Sequence, residues 1–275
     1  MNVYLPRNLE DLWNRLDEER SALVFAGGTD LFVKMRAHKP SITALVGLER
    51  IEELRYIHEE ASIIRIGAVA THAELLGHRL IATDLPVLAQ ALRMLGSPQI
   101  RNMGTIGGNI CTASPAGDTL PPLYILQAEV ELRTRETIRF VPINAFIIAP
   151  GQTQLQKGEI VTAVRVIKPE GYNIQRFEKV GLRTSMACAV ASMAAMLHVS
   201  PSGVIEAARL AWGSVGSTVI TATAVEEALI GAKLSQKGLA AAAERIRQCL
   251  SPIDDLRASA DYRRTVSGNL LMRLL

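Results

Sequence analysis

Two glycine pairs, far apart in the chain, are the residues whose types and spacing most clearly indicate a chemical role. The first lies in Ala26-Gly27-Gly28-Thr29-Asp30 and the second in Gly104-Thr105-Ile106-Gly107-Gly108-Asn109. Because a glycine lacks Cβ and tolerates positive φ, the backbone N–H groups beside it can converge on a phosphate. A diphosphate needs two such edges, so we interpret the pairs as two halves of one anion cradle.

Hydroxyl and amide side chains flank both pairs. Thr29, Thr105, Asn109 and Thr112 supply donors for phosphate oxygens without requiring a lysine. The spacing differs from a P-loop and from a dinucleotide-binding Rossmann turn, since neither G-x-x-x-x-G-K-S/T nor G-x-G-x-x-G occurs. One pair alone is equally compatible with a tight strand-to-helix turn, and the second pair favours the anion site.

Two charged residues farther along the chain each allow two interpretations. Asp118 could accept hydrogen bonds from ribose hydroxyls or could cap a helix that begins at Thr119. Lys179, on a predicted strand with Arg183 nearby, could face solvent or could serve an electron-rich cofactor ring or an anionic acceptor. The residue types leave both alternatives open for each of them.

Catalytic and metal-binding patterns are missing from the sequence. No G-x-S-x-G occurs, and the five histidines, which we predict to lie at the surface, lack H-x-x-x-H spacing. Cys111, Cys188 and Cys249 have no C-x-x-C spacing, which argues against a disulfide framework and against a zinc or iron–sulfur site. We therefore predict no catalytic side chain and no metal site. Buried thiols are expected at Cys188 and Cys249, whereas Cys111 follows the second glycine pair and could lie near a ligand.

The composition is that of an ordinary globular protein. Of the 275 residues, 48% are hydrophobic, and the net charge of +3 is spread without blocks of like sign, which argues against a nucleic-acid or anionic-membrane surface. The start lacks the features of a secretory signal, and no apolar stretch reaches the roughly eighteen residues of a membrane span. A cytoplasmic location is therefore predicted.

Hydrophobic periodicity predicts the elements that position the glycine pairs. A buried strand over 22–26 leads into the first pair, and a helix capped by Thr29 or Asp30 follows it. Asp84 is predicted to cap a helix that precedes the second pair. Residues 96–119, which contain the second pair, are rich in turn formers and predict a functional loop.

The pattern changes at Lys168-Pro169-Glu170-Gly171, where we place a domain boundary. Strands are predicted near 174–180, 187–199 and 204–214, and helices over 222–230, 237–250 and 260–274. The predicted domains are 1–170, with subdomains at about 1–55 and 56–170, and 171–275.

The two glycine motifs resemble the paired FAD-diphosphate motifs of the flavoprotein subunit of molybdenum hydroxylases, the family of xanthine, carbon monoxide and nicotinate dehydrogenases. The resemblance extends to 112–118, to Arg176-Phe177-Glu178-Lys179 and to 255–264. It covers essentially the whole chain, with the motifs in the family's order. The family resemblance implies an α+β protein: an FAD-binding fold of the p-cresol methylhydroxylase type, made of two α/β subdomains, followed by a smaller domain with a three-stranded antiparallel sheet and helices.

The resemblance also implies which residues bind the cofactor. Residues 26–30 and 105–109 would contact the diphosphate, Asp118 the adenosine ribose, and Leu95 the surroundings of the adenine. Val161 and Lys179 would lie near the adenine and the isoalloxazine respectively. The complete implied set is Ala26, Gly27, Gly28, Thr29, Asp30, Leu31, Leu95, Gly104, Thr105, Ile106, Gly107, Gly108, Asn109, Thr112, Asp118, Val161 and Lys179. Valine at Gly107 or Gly108 is expected to abolish FAD retention with modest loss of fold, because a Cβ would intrude on the diphosphate.

The implied function is electron transfer through non-covalent FAD. In this family a molybdopterin-binding large subunit hydroxylates the substrate, 2Fe-2S clusters on a small subunit relay the electrons, and the flavin passes them to NAD or another acceptor. The implied assembly is a dimer of heterotrimers. One alternative is a self-sufficient FAD-dependent oxidase or reductase, which would need an internal catalytic acid or base. Another is an assembly protein without cofactor, against which the two glycine pairs argue.

Overall fold

The computed structural model describes residues 1–38 and 42–275. The first part of the chain forms a three-stranded parallel sheet in the order β1-β3-β2. Its elements are β1 (Asn2–Tyr4), α1 (Leu9–Glu18), β2 (Leu23–Phe25), α2 (Leu31–His38) and β3 (Ala44–Gly47). The prediction of a buried strand over 22–26 is wrong, because β2 is an edge strand whose Leu23 and Val24 are 39% and 37% exposed.

The next part of the chain builds a five-stranded antiparallel sheet in the order β4-β5-β10-β6-β7. Its elements are β4 (Ile57–Glu60), β5 (Ile63–Gly67), α3 (His72–Gly77), α4 (Arg79–Asp84), α5 (Pro86–Met94), α6 (Pro98–Met103), α7 (Ile106–Thr112), α8 (Leu120–Ile125), β6 (Glu129–Arg133), β7 (Ile138–Pro142), α9 (Ile143–Phe146), β8 (Ile147–Ala149), β9 (Gln152–Thr153) and β10 (Ile160–Ile167). Strands β8 and β9 pair only with each other among the described residues.

The segment 96–119 is helical where the sequence predicts a loop. Ser97 caps α6 by accepting from the N–H of Ile100 at 3.3 Å, and Thr105 caps α7 by accepting from the N–H of Gly108 at 3.1 Å. The same residue types favour turns and N-caps, which is why the pattern was ambiguous. The predicted cap at Asp84 is also wrong, since Asp84 ends α4 and Pro86 begins α5.

The last part of the chain forms a four-stranded antiparallel sheet in the order β11-β12-β13-β14, covered by helices. Its elements are β11 (Ile174–Gly181), β12 (Ala189–Val199), β13 (Ile205–Gly213), β14 (Ile220–Thr221), α10 (Thr223–Leu229), α11 (Gln236–Cys249) and α12 (Ala260–Leu270). The α+β class is confirmed, but the expected three-stranded sheet has four strands. The fourth was missed because a two-residue strand is too short to show an alternating pattern.

The four-stranded sheet is buried on both faces, which ties the last part of the chain to the rest. Along β12, Ala194 and Met196 join the core formed with α5 and α8, whereas Met193 and Leu197 join the core formed with α11 and α12. Successive residues of a strand point to opposite faces, so a doubly buried strand is apolar throughout. No helix in the part of the chain that the structure describes is long and apolar enough to cross a membrane, and the cytoplasmic location stays a prediction.

Candidate functional site

The two glycine pairs meet at one cleft, whose volume is ≈ 530 Å³. The first pair follows β2 and the second lies in the first turn of α7. A Cβ built on Gly27 would lie 1.6 Å from the carbonyl oxygen of Met103, the residue before Gly104. Only glycine permits this approach, because a side chain cannot occupy the space of a backbone oxygen. Close contact at Gly27 therefore brings the two glycine segments together.

The turn at the first pair leaves consecutive backbone donors available. Gly28 has φ +68°, and its carbonyl accepts from the N–H of Phe32 at 3.0 Å to begin α2. Between described residues, no hydrogen bond uses the N–H groups of Gly27, Gly28, Thr29 or Asp30. Consecutive N–H groups around a left-handed glycine form a concavity that suits an anion.

The second pair differs, because its N–H groups are already used inside the protein. The N–H of Gly107 donates to the carbonyl of Ala68 at 2.9 Å, and the N–H of Gly108 donates to Oγ1 of Thr105 at 3.1 Å. The first bond holds the start of α7 against the segment that follows β5, and the second caps the first turn of α7. The second pair therefore shapes the cleft, while the N–H groups of the first pair have no hydrogen-bond partner among the described residues.

The two adjacent glycines of the second pair differ in what a Cβ at each position would contact. A Cβ on Gly107 would lie 2.7 Å from Cβ of Ala68, whereas a Cβ on Gly108 would have one near neighbour among the described atoms, Oγ1 of Thr105 at 3.0 Å. Gly108 lines the cleft and Gly107 does not. The expectation that a Cβ on Gly107 would intrude on a diphosphate is therefore wrong, because the backbone directs this Cβ toward Ala68 in the core.

Polar side chains connect the two halves of the cleft. The hydroxyl of Thr112 lies 3.1 Å from Oδ2 of Asp30, and Lys34 places Nζ 2.6 Å from the same oxygen. Asn109 accepts a hydrogen bond from the hydroxyl of Thr119. Asp30 and Asn109 are thus engaged with protein groups, and a cation, Lys34, lies next to the first glycine turn.

A buried ion pair closes one side of the cleft. Asp118 Oδ2 lies 2.6 Å from Nζ of Lys179, and the two side chains are 7% and 5% exposed. Lys179 also donates to the carbonyl of Met94 at 3.2 Å. The alternative that Asp118 caps a helix is wrong, since Thr119 is the N-cap of α8 and Asp118 pairs with Lys179 instead.

The other oxygen of Asp118 has no hydrogen-bond partner in the described structure. Burial raises the pKa of Asp118 to about 6, although the neighbouring Lys179 ammonium lowers it. A buried carboxylate oxygen without a partner is costly, and because Asp118 lines the cleft, a ligand hydroxyl that reached this oxygen would remove that cost.

His72 lies on the floor of the cleft and corrects the expectation that the histidines are at the surface. It is 2% exposed, and its Nδ1 has no hydrogen-bond partner among the described residues. Burial lowers the pKa of His72 to about 4, and nearby Arg101 adds to this. The ring is therefore neutral near pH 7. The side chain of His38 lies outside the described residues.

Cys188 and Cys249 also depart from the expectation of buried thiols, because all three cysteines are unpaired and exposed in the described structure. Cys111 and Cys188 line the cleft. Both thiols are therefore placed where a ligand could cover them.

The structure brings most of the predicted site residues to the cleft. Those that line it are Ala26, Gly27, Gly28, Thr29, Asp30, Leu31, Leu95, Gly104, Thr105, Gly108, Asn109, Thr112 and Asp118. Four others do not. Ile106 and Val161 are buried in the core, Gly107 packs on Ala68, and Lys179 is enclosed behind Asp118.

Sequence reasoning missed several residues that also line the cleft. They are Val24, Phe25, Lys34, His72, Ile100, Ser114, Ala116, Gly117 and Cys188. Cys111, for which a position near a ligand was one alternative, lines the cleft as well. Ser114, Ala116 and Gly117 lie inside a motif that the family resemblance had already singled out. His72 and Cys188 had no local signal, because folding alone brings α3 and the start of β12 to this cleft. In the described part of the chain, no group of three or more His, Cys, Asp or Glu side chains is placed to hold a metal ion.

Two family models together match nearly the whole chain. Residues 1–169 match the FAD binding domain in molybdopterin dehydrogenase, and residues 176–275 match the CO dehydrogenase flavoprotein C-terminal domain. The glycine pairs, Leu95 and Asp118 all lie within the first match.

Curated relatives and solved structures agree with these matches. The xanthine dehydrogenase FAD-binding subunit of Escherichia coli O157:H7 is 31% identical over 93% of this chain and 88% of its own length. The nicotinate dehydrogenase FAD-subunit of Eubacterium barkeri is 30% identical over 95% of this chain and 90% of its own. Among structures, a chain of the carbon monoxide dehydrogenase from Hydrogenophaga pseudoflava superposes with a TM-score of 0.92, at 29% identity over 99% of this chain and 95% of that one. A chain of the quinoline 2-oxidoreductase from Pseudomonas putida 86 gives 0.94, at 25% identity over 100% and 95%. This chain therefore belongs to the family of FAD-binding subunits of molybdenum hydroxylases.

Proposed function

We propose that the chain holds FAD in the cleft between the two glycine pairs and transfers electrons through it. The observation that carries the proposal is one cleft lined by backbone N–H donors and by a carboxylate, with polar atoms that lack hydrogen-bond partners among the described residues. The N–H groups of Gly27, Gly28, Thr29 and Asp30 have no partner among the described residues, and neither does Oδ1 of Asp118. A diphosphate would satisfy the donors, and a sugar hydroxyl would satisfy the acceptor.

The residues present fit FAD in chemical type. The first glycine turn, with Lys34 beside it, would bind the diphosphate, and Gly108 would leave room for it. Asp118 would accept a hydrogen bond from the adenosine ribose, as the family resemblance implies, and Leu95 would provide an apolar wall. Lys179 would act through Asp118, since Asp118 and Met94 already engage its ammonium.

FAD supplies the redox chemistry when it is bound, and the protein supplies binding and orientation. The cleft contains no side-chain arrangement, within the described residues, that resembles a nucleophile with its base. His72 is neutral and buried, so it contributes an uncharged wall and one unpaired ring nitrogen. We therefore assign this chain's residues to holding the cofactor and no residue to acid–base catalysis.

We propose that the chain works in a complex with a molybdopterin-binding subunit and a subunit that carries 2Fe-2S clusters, arranged as a dimer of heterotrimers, with NAD or another carrier as acceptor. This chain is similar to nearly the same degree to subunits of xanthine, nicotinate and carbon monoxide dehydrogenases, at 31%, 30% and 29% identity respectively. This supports a division of labour in which another chain selects the substrate. We also propose domains at 1–170 and 171–275, with subdomains at about 1–55 and 56–170.

FAD titration of the purified apo-protein tests the cofactor proposal. We expect one FAD per chain, released intact by acid precipitation because it is non-covalent. Folded protein that fails to take up FAD would contradict it. Co-purification tests the partners: we expect a molybdenum-containing and an iron–sulfur chain. Substrate turnover by this chain alone would instead support a self-sufficient flavoenzyme.

A further inference from the structure

One strand from the last part of the chain is hydrogen-bonded to a helix beside the cleft. Strand β11 lies against α5, and Gln90 of α5 makes two bonds to it: Nε2 donates to the carbonyl of Gln175 at 3.1 Å, and Oε1 accepts from the N–H of Phe177 at 2.8 Å. Two residues farther along β11, Lys179 donates to the carbonyl of Met94 at 3.2 Å. Every second residue of β11 from Gln175 to Lys179 is therefore hydrogen-bonded to α5.

Gln90 suits this position because of the chemistry of its amide. β11 is an edge strand of the four-stranded sheet, so one side of its backbone has no neighbouring strand. An edge strand presents carbonyl and N–H groups that need partners when they are covered. A glutamine side chain carries one carbonyl acceptor and two N–H donors, so it can satisfy both kinds of group at once.

The two bonds of Gln90 set the position of β11 along α5. A shift of β11 by one residue would break both bonds and would turn Phe177, which is 4% exposed, out of the core. Holding Phe177 in place also holds Lys179, which lies on the same side of the strand. Its ammonium then reaches Oδ2 of Asp118 at 2.6 Å and fixes this cleft-lining carboxylate, whose Oδ1 has no hydrogen-bond partner among the described residues.

We propose that Gln90 is a positioning residue for the FAD cleft. By fixing β11 on α5 it directs Lys179 to Asp118, and it thereby makes FAD affinity depend on the last part of the chain. Gln90 does not line the cleft, so it acts through Lys179 and Asp118. This inference rests on the proposed placement of FAD in that cleft.

A double-mutant cycle on the full-length apo-protein tests the inference, with FAD affinity measured by fluorescence titration. Gln90→Leu keeps the side-chain size and removes both hydrogen bonds. We expect the Kd for FAD to rise about fivefold, a change that corresponds to about 1 kcal/mol, roughly one net hydrogen bond. In a Lys179→Met background the same substitution should change the Kd less than about twofold, because coupled residues are not additive. Gln248→Leu, at an exposed position of α11, is the matched control and should leave the Kd unchanged.

The outcomes separate a positioning role from a general effect on folding. A wild-type Kd for Gln90→Leu would overturn the inference. An equal rise in Kd with and without Lys179 would overturn it as well, since that result means that Gln90 does not act through the lysine. If Gln90→Leu does not fold, Gln90→Glu keeps the acceptor for the N–H of Phe177, and its effect must again shrink in the Lys179→Met background. If Asp118→Asn and Gly108→Ala leave the Kd unchanged, the proposed FAD site itself fails, whatever Gln90 does.

Discussion

Alanine substitutions at the two neighbouring glycines of α7 should separate folding from cofactor binding. In Gly107→Ala the new Cβ lies 2.7 Å from Cβ of Ala68 and 2.8 Å from its carbonyl oxygen, so the backbone must shift. Overpacking of this kind costs about 1–3 kcal/mol, and the gain in helix propensity of about 1 kcal/mol offsets part of it. We expect the free energy of unfolding of the apo-protein to fall by about 1 kcal/mol.

Gly108→Ala should give the opposite pattern. Its Cβ has one near neighbour among the described atoms, Oγ1 of Thr105 at 3.0 Å, so helix propensity and this close contact nearly cancel and the free energy of unfolding should change little. The methyl group would enter the cleft where we place the diphosphate. We expect the Kd for FAD to rise at least about tenfold, which corresponds to about 1.4 kcal/mol.

Urea unfolding of the apo-proteins and fluorescence titration with FAD measure the two effects separately. Gly77→Ala is the control, because it replaces another helical glycine, in α3, whose Cβ would have no described neighbour within 4 Å. It should bind FAD normally and be slightly more stable. The reasoning is refuted if Gly108→Ala binds FAD with wild-type affinity, or if Gly107→Ala is as stable as wild type and loses FAD.

Two further predictions concern stability. Burial lowers the pKa of His72 to about 4 from an ordinary value near 6.5, so between these pH values the unfolded chain binds a proton that the native protein does not. The contribution of His72 to the free energy of unfolding therefore rises with pH across this window, by roughly 3 kcal/mol at most. The pKa of Asp118 is raised to about 6, so the contribution of Asp118 to the free energy of unfolding falls as the pH rises. Urea unfolding of wild type and His72→Asn from pH 4 to 7 should show that the variant loses this rise, and parallel pH profiles would contradict the assignment. Replacing Arg263 by methionine should lower the free energy of unfolding by about 2–3 kcal/mol, because this 2% exposed side chain donates to two backbone carbonyls that lose their donor, whereas Asp255 keeps its ion pair with Arg257. The same substitution at the neighbouring Arg264, whose side chain is 38% exposed, should lower the free energy of unfolding by less than about 1 kcal/mol. Equal losses of stability in the two variants would be inconsistent with the difference in burial.

Much of the fold follows from local patterns in the sequence. Asn8 and Thr71 are residue types that favour N-caps, and they cap α1 and α3. The strands predicted near 174–180 and 204–214 lie close to the observed bounds. The errors occur where one residue type has two uses. Ser97 and Thr105 favour turns and also cap helices, and only the neighbouring segments decide which use prevails.

The site could be predicted as a set of residue types but not as an arrangement. The glycine pairs, their threonines and Asp118 were recognised because glycine and short polar side chains are what a diphosphate and a sugar require. The sequence could not distinguish Gly107 from Gly108, since the direction of an absent Cβ depends on the helix that carries it. It also could not show that Lys179 and Asp118 form a pair, because the two lie on different parts of the chain.

The sequence by itself therefore determined the class of ligand, the order of the motifs and the family, since these depend on residue types and spacing. Tertiary structure alone decided which glycine faces the cleft, which N–H groups lack a partner within the described residues, and that Gln90 and Lys179 connect the last sheet to Asp118. The physical reason is that burial, unpaired polar atoms and ion pairs arise when segments distant in the chain pack together, and no local pattern records which segments will meet.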